Sequence, residues 1–153
     1  MHANAEIITR FYTALSKLDG AAMAACYADD ATFSDPAFVG LKGKEPGKMW
    51  RMLCARGKDM RVVWDGIEAD DARGKAHWVA TYTFSATGRT VVNDIHSSFT
   101  FKNGKIATQQ DSFDLYKWLR QALGLKGVLL GWLPAVQAKM RATARAGLDA
   151  YKG

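Results

Sequence analysis

Cysteine, proline and histidine are scarce in this sequence. Its 153 residues hold two cysteines, three prolines and three histidines. Cys26 and Cys54 stand among apolar neighbours in helical patterns with no CxxC spacing, so they read as buried free thiols rather than a redox pair or a disulfide staple. HxH and HExxH spacings are absent, and with them the expectation of a metal. A nucleophile elbow and a phosphate-cradling glycine loop are absent too, so no cofactor is expected. The opening MHANAEIITR lacks the apolar core of a secretory signal, which makes the cytoplasm the default location. No apolar run reaches the roughly 18 residues of a membrane span. Internal repeats and low-complexity stretches are missing.

What is present fits one domain with a proper core: 48% of residues are apolar and the net charge is +6. The lysines and arginines are scattered, with mild concentrations at Lys42 to Lys58 and Lys139 to Arg145. Neither is a solid block and no RNA-binding aromatic motif accompanies them, so they read as solvated surface and no nucleic-acid partner is expected.

The pattern begins helical. Asn4 suits the cap of a helix over Ala5 to Leu18, with Ile7, Ile8, Phe11, Ala14, Leu15 and Leu18 on one stripe. Asp19 suits the cap of a short second helix through Met23, Cys26 and Tyr27. Ala28 to Ala31 read as a helix end opening into a strand that carries Thr32 and Phe33, and Pro36 holds Asp35 in an extended backbone. A polar loop over Gly40 to Gly47 leads to a third helix between Pro46 and Gly57, with Met49, Trp50, Met52, Leu53 and Cys54 on its apolar face.

From Met60 the period becomes two. Strands are expected over Arg61 to Ala69, Lys75 to Ala86, Arg89 to Phe101 and Lys105 to Phe113, joined at Asp70 to Gly74, Thr87-Gly88 and Asn103-Gly104. Alternation sets Trp78, Ala80, Tyr82 and Phe84 on one face of their strand and His77 on the other. It sets Val91, Asn93, Ile95, Ser97 and Phe99 on one face of the next, with Asp94 and His96 opposite, and gives Gln109, Asp111 and Phe113 a shared inner face. Three helices before a four-stranded antiparallel meander describe an α+β fold in which a curved sheet wraps helices and leaves a concave cavity. A tail follows. Leu115 to Leu123 is helical, the chain breaks near Gly124 to Gly131, and a last helix runs from Pro134 to about Tyr151. Its greasy run LKGVLLGWLP needs cover. Packing on this domain or on a second copy, a lid over the cavity, and a basic amphipathic helix on a membrane surface are the readings, the last ranking behind the others.

Two carboxylates are the candidate catalytic groups. Asp35 can act as a base beside an apolar run, or simply be a turn aspartate bonding its own backbone. Asp111 can exchange a proton from the opposite wall, or be a solvated charge at a strand end. Phe11, Trp50, Trp78, Tyr82, Phe84, Phe99 and Phe113 are candidate cavity lining as well as core, Tyr12 and Tyr82 can offer a hydroxyl, and Ser97 and Gln109 are weaker polar candidates.

RFYTALSKLDGAAMAACYADDATFSDP, GRTVVNDIHSSFTFKNGKI and ATQQDSFD together resemble the nuclear-transport-factor-2-like superfamily, which includes steroid delta-isomerase and SnoaL-like polyketide cyclases. The resemblance implies a cone-shaped domain over residues 1–114, an extension over 115–153, a deep apolar pocket and a homodimer. Asp35 falls where the family places its catalytic base. Phe11 falls where steroid isomerases have a tyrosine donor, with Tyr12 one residue off, and Ser97 where they place a protonated aspartate. Each such donor supplies on the order of 10²–10³ in rate, so losing both argues against steroid isomerisation. Asp111 resembles the acid–base aspartate of the cyclase branch. The implied function is cofactor-free acid–base chemistry on a small apolar, even cyclic, molecule, by isomerisation, ring closure or, less favoured, epoxide opening. The alternative is a non-catalytic binding or dimeric interaction module of the same fold. No membrane partner is expected beyond surface association through the tail.

Overall fold

The computed structural model describes all of residues 1–153. Helix α1 (Ala3–Ser16) buries Ile7, Ile8, Phe11, Tyr12 and Leu15 along one stripe. Its cap is the ring of His2, which accepts the Asn4 N–H; the Asn4 side chain instead donates to the Asp70 and Asp71 carbonyls. Leu18 lies beyond the helix with φ +55°, where the chain reverses. Asp19 then caps α2 (Gly20–Ala24), its carboxylate accepting the Ala22 N–H at 3.0 Å.

Helix α2 is shorter than the sequence pattern implies. Tyr27 already belongs to strand β1 (Tyr27–Ser34), so Ala28 to Ala31 are strand and not a helix end. Ala31 and Phe33 turn inward while Asp29, Asp30 and Thr32 face water, and that alternation suits an extended chain. The Gly40 to Gly47 segment is likewise more ordered than a loop. It contains β2 (Leu41–Lys42), which pairs antiparallel with Thr32 and Phe33, and it opens α3 (Glu45–Arg56) with Pro46 in the first turn and Gly57 as cap.

Strands β3 (Arg61–Ala69), β4 (Arg73–Phe84), β5 (Arg89–Lys102) and β6 (Lys105–Ser112) form the expected antiparallel meander. Asn103 and Gly104, both at positive φ, make its tightest turn. The sheet is larger than the meander, however: β1 runs parallel beside β6, giving the order β2-β1-β6-β5-β4-β3. That pairing brings the end of β1, and so Asp35, beside the strand carrying Asp111. Register shifts in β1, between Asp65 and Glu68, and between Thr100 and Phe101 bend the sheet around the helices. Ile8, Phe11, Tyr12, Met49, Trp50, Trp78, Ile95 and Phe99 lie in the single main core between helices and sheet.

The tail is three helices, because the stretch between its two longer ones is itself a short helix. Helix α4 (Leu115–Leu123) covers the part of β5 that β6 is too short to pair. The Gln121 amide imitates a neighbouring strand there, accepting the Val92 N–H at 2.8 Å and donating to the Val92 carbonyl at 3.0 Å. Helix α5 (Leu125–Leu130) follows at once, and α6 (Pro134–Ala150) returns to α3. Leu148 enters the core, Arg145 pairs with Glu45, and the Arg141 guanidinium donates to the Pro36 carbonyl at 2.9 Å.

Helices α2 and α3 touch backbone to backbone. A Cβ on Gly20 would stand 2.6 Å from Arg51 Cα, and one on Gly47 2.8 Å from Ala24 Cβ. Gly20→Ala therefore lowers unfolding free energy by about 1–3 kcal/mol, as overpacking does. Urea denaturation followed by far-UV circular dichroism checks this, and an unchanged midpoint would contradict the packing described.

Candidate active site

A cavity of about 320 Å³ opens between the sheet, α3 and the tail. Asp35, Trp50, Trp78, Tyr82, Asn93 and Asp111 line it, with further apolar side chains and the polar Arg56, Thr83 and Ser85 completing the wall. Of the residues singled out from sequence, Asp35, Asp111, Trp50, Trp78, Tyr82, Phe84 and Phe113 are on this lining. Phe11, Tyr12, Ser97, Phe99 and Gln109 are not. Ser97, Phe99 and Gln109 point inward as strand alternation requires and Phe11 and Tyr12 lie on the buried stripe of α1, but the helices pack so closely on this part of the sheet that all five lie behind the cavity wall. Phe11 is enclosed edge-to-face by Tyr12, Tyr27 and Trp50. Ser97 and Gln109 bond Asp111 directly, and Tyr12 reaches it through Ser97.

Asp111 is 2% exposed. Its Oδ1 accepts from the Ser97 hydroxyl at 2.6 Å and from the Gln109 amide at 3.0 Å. Behind Ser97 stand two more donors, Tyr12 Oη and Trp78 Nε1, each 2.9 Å from Ser97 Oγ. Behind Gln109 stands Tyr27, whose hydroxyl lies 2.5 Å from Gln109 Oε1 and accepts from Trp50 Nε1 at 2.8 Å. An indole N–H can only donate. Trp50 therefore obliges Tyr27 to donate to Gln109, which leaves the Gln109 amino group for Asp111. Trp78 and Tyr12 likewise leave Ser97 its own proton to give to Asp111. Every bond in the network runs toward Asp111 Oδ1, so a proton on Asp111 resides on Oδ2, the oxygen with no protein donor.

Asp35 divides its two oxygens in the same way. Oδ1 accepts the N–H groups of Ala37 and Phe38 at 2.7 and 2.6 Å, closing the turn through Pro36. Oδ2 has no protein partner. The turn aspartate and the cavity carboxylate are thus one residue. Burial pushes Asp35 up to about 6, against the pull of those two N–H groups. Burial pushes Asp111 up to about 7, against its bonds from Ser97 and Gln109, and the charge of Asp35 adds to the rise.

Asn93, Tyr82, Arg56, Thr83 and Ser85 are the other polar side chains of the cavity. Asn93 is 8% exposed and its amide makes no hydrogen bond within the protein. Tyr82 accepts from Trp118 Nε1 at 2.6 Å, which leaves its own hydroxyl proton free. Trp118 and Met140 belong to the tail and close one side. Sequence reasoning assigned Trp118, Met140 and Asn93 no role at the site. The inward parity of Asn93 on β5 was the one available signal, whereas nothing local places α4 or α6 over the cavity.

The two histidines of the sheet lie elsewhere, on its outer face. His77 sits between Asp65 and Asp94 at 2.9 and 2.8 Å, and these two carboxylates, Asp65 foremost, raise its pKa. His96 lies beside it, ring centres 4.8 Å apart. His77, Asp94 and His96 form the nearest approach to a metal-ligand set, but both ring nitrogens of His77 are already engaged by carboxylates. The cavity lining holds two carboxylates and neither histidine nor cysteine.

An aspartate whose folded pKa exceeds its unfolded value binds more protons when folded, so it subtracts stability as pH rises from about 4 toward 7. Ionising Asp111 costs on the order of 4 kcal/mol at neutral pH and above. In Asp111→Asn the carbonyl keeps both acceptor bonds and the charge is gone. This variant therefore melts above the parent at pH 7.5, by an amount that shrinks toward pH 4. Calorimetric melts across that range check it; a variant less stable at pH 7.5 would refute the account of Asp111.

The model of the SnoaL-like domain matches residues 8–109. A search of curated proteins returns no match. Among solved structures, the fold is similar to a protein of unknown function from Burkholderia pseudomallei with TM-score 0.68 and 19% identity, covering 79% of this chain and 98% of that one. It is similar to an LEH-like epoxide hydrolase of Mycobacterium tuberculosis with TM-score 0.66 and 20% identity, covering 86% and 96% of the two chains. A protein of ketosteroid isomerase-like fold from Catenulispora acidiphila, solved with trimethylamine, matches with TM-score 0.68 and 20% identity over 84% and 98%. With more than half of its residues matched by the family and the curved-sheet architecture shared with these structures, the chain belongs to the SnoaL-like family of nuclear-transport-factor-2-like folds.

Proposed function

We propose that this protein is a cofactor-free acid–base enzyme acting on a small, largely apolar molecule, with Asp35 as base and Asp111 as acid. One observation carries the reading: two carboxyls whose ionisation lies near neutrality line the same apolar cavity, and each keeps one oxygen free of protein partners. Groups pushed to different pKa values in one site divide naturally into acid and base. At neutral pH Asp35 is mostly ionised and Asp111 about half protonated. Asp35 Oδ2 takes a proton from a carbon beside a carbonyl, or from a water. Asp111 Oδ2 delivers its proton to the oxygen on which negative charge grows. The hydrogen bonds on Oδ1 shift with that transfer but need not break. Asn93 and Tyr82 hold a ligand oxygen in place. Isomerisation, aldol-type ring closure and epoxide opening are all reactions that such a pair can serve. Epoxide hydrolysis is named for a neighbour of the same fold, at an identity too low to transfer it.

The acid and base roles set the pH profile. Activity falls as pH drops below about 6, where Asp35 takes up a proton, and falls again above about 7, where Asp111 loses its own. Two experiments test the reading. Carbon-13 carboxyl NMR finds two aspartates titrating near these values, one lost in Asp35→Asn and the other in Asp111→Asn. Against a panel of cyclic unsaturated ketones and cyclic epoxides, each substitution lowers kcat by about 10²-fold or more while the fold is retained. Asn93→Leu chiefly raises KM. Both carboxyls titrating near 4, or full turnover in either Asn variant, would sink the proposal.

A further inference from the structure

The tail concentrates two properties that the rest of the chain lacks. Seven of the 21 basic residues but one of the 15 acidic ones lie between Leu115 and Gly153, so this segment carries the whole net charge of +6 and the first 114 residues are balanced. From Leu115 to Leu148 there is no carboxylate at all. The same segment holds the main exposed apolar patch, in which Leu125, Leu129 and Trp132 are 73%, 60% and 61% exposed and Val128 and Leu130 are also uncovered. The Trp132 indole N–H donates to the Leu129 carbonyl at 3.0 Å, so the ring offers only carbon to its surroundings. Lys117, Arg120, Lys126 and Lys139 are exposed and in no ion pair. Arg120 adjoins α5, lying over the Tyr116 ring whose hydroxyl bonds the Val128 carbonyl.

We infer that α5 and Trp132 dock the protein on an anionic phospholipid bilayer. The apolar side chains enter the boundary between headgroups and acyl chains, and the unpaired cations meet lipid phosphates. Charge complementarity selects this occupant over a second copy of the chain, because a two-fold contact through α5 would press two segments of net +6 together. The mode is surface attachment, since no helix is long and apolar enough to cross a membrane. The inference stands apart from the proposed chemistry, although α4 and α6 on either side of α5 supply Trp118 and Met140 to the cavity.

The test is co-sedimentation of the full chain with phosphatidylcholine vesicles that either lack phosphatidylglycerol or contain about 30% of it, at about 50 mM and about 500 mM salt. The expected result is binding to the anionic vesicles at low salt, and little to neutral ones or at high salt. Leu129→Glu combined with Trp132→Ala, both exposed in the fold, lowers vesicle binding about tenfold or more while the melting temperature holds. Lys126→Gln and Arg120→Gln each lower it roughly fivefold. Absence of binding to anionic vesicles at low salt overturns the inference, as does equal binding by the apolar double variant. So does sedimentation velocity showing a dimer that the double variant dissociates, in a protein that ignores vesicles; that result would assign the patch to a second copy.

Discussion

The site depends on a single acceptor atom. Asp111 Oδ1 lies where bonds from Ser97 and Gln109 converge, and the direction of those bonds is set by two indoles that can only donate, Trp78 and Trp50. The network joins α1 through Tyr12, β1 through Tyr27, α3 through Trp50, β4 through Trp78, β5 through Ser97 and β6 through Gln109 and Asp111. A buried carboxyl is costly to ionise, and that cost is what brings Asp111 into the range where it can exchange a proton near neutral pH. The donors temper the cost and choose which oxygen carries the proton.

The same division of labour appears at Asp35. One oxygen closes a turn and the other is left to the cavity. In each carboxyl one oxygen is held by the protein and the other is free, so a proton can come or go on the free oxygen while the bonds to the first stay in place. Both carboxyls are buried deeply enough to raise their pKa values, in a cavity whose lining is mostly apolar. Tail helices close it, and the Arg141 bond to the Pro36 carbonyl ties the last helix to the Asp35 turn.

Much of the fold was legible in sequence because the signals were local. Asp19 as a cap, Pro46 and Gly57 bracketing α3, and Asn103-Gly104 as a hairpin all act within a few residues. The cavity-facing positions of two aspartates were legible as well, Asp35 from its place before Pro36 and Asp111 from strand parity. Parity failed as a guide to depth. It says which face of a strand a residue is on, yet Ser97 and Gln109 share a face with Asn93 and Asp111 and lie behind the cavity wall, since depth depends on how closely helices approach the sheet. Histidine placement, by contrast, needed only parity: His77 and His96 are on the outer face as alternation implied.

The order of residues in the chain was enough to specify helices before a long meander, turns at glycine and asparagine, and carboxylates on inward-facing positions, because these follow from backbone preferences and the two periods of helix and strand. Tertiary structure alone decided that β1 would run parallel to β6, that Asp35 and Asp111 would share one cavity, and that Trp118 and Met140 would close it. Those outcomes rest on contacts between residues far apart in sequence, and only packing selects among the arrangements that local preference allows.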